Sequence, residues 1–294
     1  AAEENVDCTE EGLFELSSKS NVVVFVLDTF DTSYMDEVIQ NSPEYLDPFE
    51  GFTYFHNSTG SMIPTRYAVP FLLTGQTPET CGTFDEFYYE AYERSSFFDD
   101  IQNAGYSIGV YSDSAGFNDE DPEVRQSIAD QTVNVRHVET PVDPWGTIEI
   151  LTKCALYRDA PWLLKPQFWY YTDQLNAGMV ADAGASSSDD TVYRIDDAGF
   201  YSKLKECGLD LTDEGSAGAF RFIHLLGAHY PFTLDENGVD VGEGNTTAEQ
   251  QMRGSLKMVS EYLDRMKELG VYDDSTIIVT ADHGNWYLTE EIDH

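Results

Sequence analysis

Thr276-Ile277-Ile278-Val279-Thr280-Ala281-Asp282-His283-Gly284 is the stretch on which the reading of this chain turns. β-Favouring residues run straight into an Asp-His pair, and a glycine follows. A short, nearly continuous apolar run is the mark of a parallel strand covered on both faces. In open α/β sheets, ligands lie beyond the carboxyl ends of such strands. Asp282 and His283 therefore stand where such a sheet does its chemistry. Together they offer one hard oxygen and one imidazole, a pair suited to a divalent metal. Gly284 lets the backbone turn sharply or approach a ligand closely. The same residues also make a plain Asp-His-Gly turn at a strand end. Other strands in the chain bear on the choice.

Working outward, Asn21-Val22-Val23-Val24-Phe25-Val26-Leu27 reads as a first central strand, and Asp28 follows it. Asp28 suits either a cap for a helix over Tyr34 to Gln40 or a ligand, and Asp31 suits the cap better. Phe220 to Leu226 is another central strand, with His229 just past its end. His224, inside the apolar run, reads as a buried, hydrogen-bonded histidine. A further strand covers Ser107 to Tyr111. Thr65 opens a segment rich in helix-forming residues with Arg66 beside it. That place suits an anion at a helix N-terminus, though taken alone it reads first as a simple threonine cap. Glu249 to Leu269 is the clearest helix, with Met252, Leu256, Val259, Leu263 and Met266 on one stripe and Gly270 as its stop. Helices are also expected over Phe97 to Gly105, 147–158 and Asp196 to Cys207. Phe52 to His56 reads as a short strand, 113–135 as an acidic loop and 176–191 as a small-residue loop. The aromatic run from Ala160 to Tyr171, which contains Lys165, suits core packing, a substrate cleft or a membrane interface.

Strands alternating with helices point to an α/β fold: three layers, α/β/α, around a mostly parallel central sheet. Residues 1–20 are polar and read as a lead-in linker, with one catalytic-type domain over 21–294. Of the 294 residues, 54 are acidic and 16 basic, giving a formal charge of -38. Such a surface excludes general nucleic-acid binding and disfavours docking on anionic lipid by charge alone. An anionic substrate would need a metal and a few local cations against that field. The hydrophobic share of 41% and aromatic share of 13% still support a packed core. Cys8, Cys81, Cys154 and Cys207 form no Cys-x-x-Cys, so they offer no cysteine zinc site. They leave room for one or two disulfides.

Asp28, His229 and Asp282-His283 each follow an apolar strand, and Thr65 opens a helix. At this point the sequence resembles the alkaline phosphatase–sulfatase superfamily, and within it the lipoteichoic acid synthase and phosphoethanolamine transferase branches. Val24-Phe25-Val26-Leu27-Asp28-Thr29 resembles the family's first strand with its terminal metal-binding carboxylate. Asn57 through Gly75 resembles the nucleophile segment, with Thr65 at the nucleophilic threonine. His224-Leu225-Leu226-Gly227-Ala228-His229-Tyr230-Pro231 resembles a His-x-x-Gly-x-His-x-Pro segment whose second histidine meets substrate. Asp282-His283-Gly284 resembles the hallmark Asp-His-Gly, and His294 a further histidine of the transferases.

The resemblance implies a metal held by Asp28, Thr65, Asp282 and His283, zinc or manganese first, calcium or magnesium next. It implies Thr65 as nucleophile, His229 and Arg66 as catalytic partners, and His294 and Lys165 as substrate contacts. The substrate would be a small phosphoester or sulfoester or a lipid head group. The setting would be extracytoplasmic, at a membrane reached through an anchor outside this chain. Departures narrow this. Asp28 is followed by Thr29 rather than by the second Asp of sulfatases. Met62 stands where a formylglycine-forming cysteine would be, which disfavours a true sulfatase mechanism. Relatives continue past the Asp-His-Gly strand, so the resemblance leads one to expect a truncated domain at His294. Two alternatives remain beside the transferase: a sulfatase-like hydrolase, and a non-catalytic relative that binds an anionic glycan or head group.

Overall fold

The computed structural model describes residues 6–60, 62–117, 121–137, 143–169 and 191–285. Its centre is a four-stranded, wholly parallel sheet made of β3 (Asn21–Leu27), β4 (Tyr106–Tyr111), β7 (Gly218–Leu225) and β8 (Ser275–Thr280). The spatial order is β4-β7-β3-β8, so every neighbouring pair is joined by a crossover. Each strand follows from its apolar run. In β7 all eight residues are buried, as a strand enclosed on both faces requires.

Register assigns the faces. Phe25 pairs with Ile223 and Val24 with Phe222, so Asn21, Val23, Phe25 and Leu27 share a face with Ala219, Arg221, Ile223 and Leu225. The long helix α9 (Ala248–Leu269) covers that face, and Tyr262 meets Phe25 edge-on with ring centroids 5.0 Å apart. The opposite face carries Phe220, Phe222 and His224. Helix α5 (Phe97–Asn103) covers it, with Phe97 packed edge-on against Phe220 at 5.9 Å. Helices on both faces of a parallel sheet give the expected three-layer α/β/α order. α9 begins at Thr247, whose hydroxyl accepts from the Gln250 N–H in a capping box, and ends at a left-handed Gly270. Its apolar stripe is buried as the spacing predicts.

The remaining helices are α1 (Thr32–Asn41), α2 (Thr65–Thr74), α3 (Pro78–Cys81), α4 (Phe84–Glu90), α6 (Pro122–Gln131), α7 (Pro144–Asp159) and α8 (Asp197–Cys207). Asp31 caps α1, accepting from the Ser33 N–H.

Several expectations are corrected. Residues 6–20 are not simply a linker. β1 (Val6–Cys8) pairs antiparallel with β5 (Val135–His137), and β2 (Glu15–Ser17) pairs parallel with β6 (Asp210–Thr212). Leu13 and Leu16 are buried, and the buried Arg221 donates through Nε to the Glu15 carbonyl at 2.9 Å. Strands of three residues are too short to show periodicity. Phe52 to His56 is not a strand but an exposed turn-rich segment, because no strand lies beside it to take its backbone bonds. The stretch 113–135 holds α6, which starts at the cap Asp121 with Pro122 behind it. The aromatic run over 160–169 is not core: Trp162–Phe168 is a 3-10 helix with no buried residue. All four cysteines are free thiols, so no disulfide forms. Most of the loop expected over 176–191 and the C-terminal boundary at His294 lie outside the described residues.

Candidate metal and nucleophile site

Parallel strands in register bring their carboxyl ends to one edge. Val26 pairs with Thr280, so extending the ladder by two residues sets Asp28 beside Asp282. Both are buried, as is His283. Asp28, Asp282 and His283 each offer a ligand atom, and these atoms lie within 4.8 Å of one another.

Each group is held in place by its neighbours. Asp282 Oδ1 accepts from the backbone N–H of His283 at 2.7 Å and of Thr29 at 3.1 Å, whereas Oδ2 has no hydrogen-bond partner. His283 Nδ1 lies 2.8 Å from the Gly284 carbonyl. A carbonyl only accepts, so Nδ1 carries the proton and Nε2 presents its lone pair to the site. That lone pair lies 3.4 Å from Asp282 Oδ2 and 3.7 Å from Asp28 Oδ1. Thr29 adopts φ 55, a left-handed conformation uncommon for a β-branched residue. In that pose its hydroxyl donates to Asp28 Oδ1 at 2.7 Å while its N–H serves Asp282. One strained residue therefore bridges both carboxylates.

Two buried carboxylates side by side repel one another. Burial first, and then the charge of Asp282, hold the Asp28 carboxyl well above its ordinary range. A divalent cation would relieve that repulsion. The unpartnered Asp282 Oδ2, the aimed imidazole nitrogen and the oxygen-rich donor set all fit one.

Thr65 completes the group. The N-cap of α2 is Pro64, and Thr65 is the first helical residue, so its side chain is not spent on capping. Its hydroxyl lies 3.1 Å from His283 Nε2 and 3.4 Å from Asp28 Oδ2. The structure thus places the hydroxyl against two of the three candidate ligands.

His224 also reaches this edge, a role its sequence position concealed. It is fully buried; Nδ1 lies 2.9 Å from Ser112 Oγ, just past β4, and Nε2 lies 4.0 Å from Asp28 Oδ2 without a hydrogen-bond partner. Burial keeps its pKa below the ordinary histidine value. Its single signal in the sequence is a polar residue in an otherwise apolar strand. Past the same strand, His229 sits on a loop clamped from two sides. Gln251 of α9 donates to the carbonyls of Gly227 and His229, each at 3.1 Å. The buried carboxylate of Asp197 accepts from the N–H of Leu226 at 2.6 Å and of Gly227 at 3.3 Å.

Other expected residues stand apart. Arg66 is exposed, its guanidinium stacked 4.8 Å from the Tyr67 ring centre. Lys165 lies on the 3-10 helix Trp162–Phe168, 5.2 Å from the Tyr157 ring centre, and donates to the Arg158 carbonyl. Neither makes a described contact with Asp28, Asp282, His283 or Thr65. His294 lies outside the described residues. No helix among those described is long and apolar enough to cross a membrane.

Over 100 residues the chain is 29% identical to lipoteichoic acid synthase of Staphylococcus aureus strain USA300, and equally to that of strain NCTC 8325. The match covers 32% of this chain and 14% of the relative. No family model matches the chain. Among solved structures, a Vibrio parahaemolyticus protein in the alkaline phosphatase superfamily aligns over 98% of this chain and 59% of its own, with 13% identity and a TM-score of 0.47. A Bacteroides thetaiotaomicron protein from a study of glycosaminoglycan metabolism aligns over 94% and 64%, with 15% identity and a TM-score of 0.45.

Proposed function

We propose that this chain is a metal-dependent enzyme of the alkaline phosphatase–sulfatase superfamily that transfers or hydrolyses a phospho-group through Thr65. The observation that carries the reading is the placement of the Thr65 hydroxyl at 3.1 Å from His283 Nε2 and 3.4 Å from Asp28 Oδ2. A serine or threonine hydroxyl is a weak nucleophile until a base or a metal lowers its pKa. Here it sits beside a carboxylate oxygen able to take its proton and beside the candidate metal ligands.

Asp28, Asp282 and His283 would hold the metal, with Thr65 as the fourth ligand; the oxygen-rich set with one imidazole suits zinc or manganese. When bound, the ion would lower the hydroxyl pKa and neutralise charge on the phosphoryl oxygens. Thr65 Oγ would attack phosphorus, its proton passing to Asp28 Oδ2, the carboxylate oxygen 3.4 Å away. The bond between phosphorus and the leaving alkoxide breaks. His229, on its clamped loop past β7, would give that oxygen a proton. Water or a second alcohol then attacks the phospho-threonine and restores the hydroxyl. The proposed donor is a phosphodiester such as a phospholipid head group, following the similarity to lipoteichoic acid synthase. The proposed setting is extracytoplasmic and membrane-associated.

The test is elemental analysis paired with intact mass after incubation with phospholipid. About one metal per chain is expected in the wild type and none in Asp282→Ala, with a phospho-adduct on Thr65. Thr65→Ala should keep the fold, lose the adduct and lower turnover on the order of a thousandfold or more. No metal under metal-replete conditions sinks the proposal.

A further inference from the structure

α7 (Pro144–Asp159) and the 3-10 helix Trp162–Phe168 form a hairpin whose surface is unlike the rest of the molecule. α7 has no buried residue, yet it is apolar on more than one side. Ile148, Leu151, Ala155 and Leu156 line one exposed face; Tyr157 on another packs edge-on to Trp169, ring centres 5.6 Å apart. Trp145, Trp162 and Leu163 are 79%, 81% and 78% exposed. A contiguous exposed apolar surface of this kind marks a site of contact with a protein or a membrane.

We propose that this hairpin docks in the interfacial region of a lipid bilayer with zwitterionic head groups. Three observations choose this occupant. First, the hairpin carries Trp145, Trp162 and Trp169, three of the chain's four tryptophans. Tryptophan is the residue that favours the head-group boundary, where an apolar ring and a polar N–H are both accommodated. Second, its charges cancel. Residues 143–169 contain Asp143, Glu149 and Asp159 against Lys153, Arg158 and Lys165, while the whole chain carries -38. The hairpin is therefore a surface that lipid phosphates do not repel. A second copy would bring another -38 toward the same place, so self-association meets repulsion. Third, exposed Ile148, Leu151 and Leu163 set aliphatic side chains beside those tryptophans, the kind of surface that enters the head-group and acyl boundary. The helix would lie in the plane of the interface rather than cross it.

The proposal stands apart from the reading of the catalytic site, and its test needs neither metal nor turnover. The full chain is mixed with sucrose-loaded phosphatidylcholine vesicles and sedimented, with tryptophan emission recorded. Wild type should pellet and its emission should shift to the blue. Trp162→Ser with Leu163→Ser, and separately Ile148→Gln with Leu151→Gln, should each lower the partition coefficient at least ~10-fold. Both pairs are exposed, so circular dichroism should be unchanged. Adding phosphatidylglycerol at low salt should weaken binding. No pelleting with phosphatidylcholine overturns the proposal, as does binding that requires anionic lipid. Dimerisation in sedimentation velocity that the same substitutions abolish, without vesicle binding, would assign the surface to a second copy.

Discussion

Thr29 is the residue on which the acidic cluster hangs. Its hydroxyl fixes Asp28 and its N–H fixes Asp282, and both require the left-handed backbone at φ 55. Thr29→Ala keeps the N–H and loses the hydroxyl. Outer partners of metal ligands commonly contribute 10–100-fold in affinity, so Thr29→Ala should weaken metal binding by about that factor while Thr29→Ser should not. Calorimetric titration with zinc or manganese measures this. Asp28, Thr65, Asp282 and His283 were legible in the sequence because each follows an apolar run or opens a helix. Thr29 was noted there only as a missing second Asp, since its part depends on a backbone angle that composition does not display. His224 was legible as buried and hydrogen-bonded, but its approach to Asp28 depends on the register between β3 and β7.

At the scale of elements, the loops beyond β7 and β8 decide whether the strand ends hold their groups in place. A Cβ added at Gly284 would sit 2.7 Å from Asp31 Oδ2, the oxygen that accepts the Asn285 N–H at 3.0 Å. Gly284→Ala must push that carboxylate aside, freeing the turn that carries His283. The expected cost is about 0.5–1.5 kcal/mol, the loss of one hydrogen bond, read from denaturant unfolding, with weakened metal binding. Asp197 gives a pH signature to the loop beyond β7. Burial raises its carboxyl to about 7, the two N–H bonds only partly opposing this. The folded state therefore keeps a proton that the unfolded chain releases near its ordinary value. The contribution is fully present below about pH 4 and is lost as pH rises to about 7. Unfolding free energy should fall across that window in the wild type, and the slope should be smaller in Asp197→Asn. The sequence showed α8 and its cap but not this role, which joins residues about thirty positions apart. It also missed α6, whose Val124 and Ile128 are too few among charged neighbours to reveal a stripe.

For the molecule as a whole, a charge of -38 on 294 residues acts against compactness. Salt screens that repulsion, with a Debye length of about 10 Å at 0.1 M and about 3 Å at 1 M. The melting temperature should therefore rise between 0.1 M and 1 M KCl, by scanning calorimetry at fixed pH; a flat or falling curve would show that local ion pairs dominate. The parallel sheet and the helices on its two faces were legible from four apolar runs and the periodic stripe of α9. The two small sheets that bind residues 6–17 to distant parts of the chain were not, because strands of three residues carry no pattern.

The strand order β4-β7-β3-β8 also has a history on the ribosome. β3 is made well before its neighbours, the strands beginning at Gly218 and Ser275. Translation at about 5–20 residues per second leaves some 190 residues, roughly 10 to 40 seconds, between β3 and its first partner. Throughout that interval Val22-Val23-Val24-Phe25-Val26-Leu27 emerges as an unpaired, aggregation-prone segment. The nascent chain around it is dense in carboxylates, and their mutual repulsion keeps neighbouring polypeptides on a polysome apart until the sheet can close.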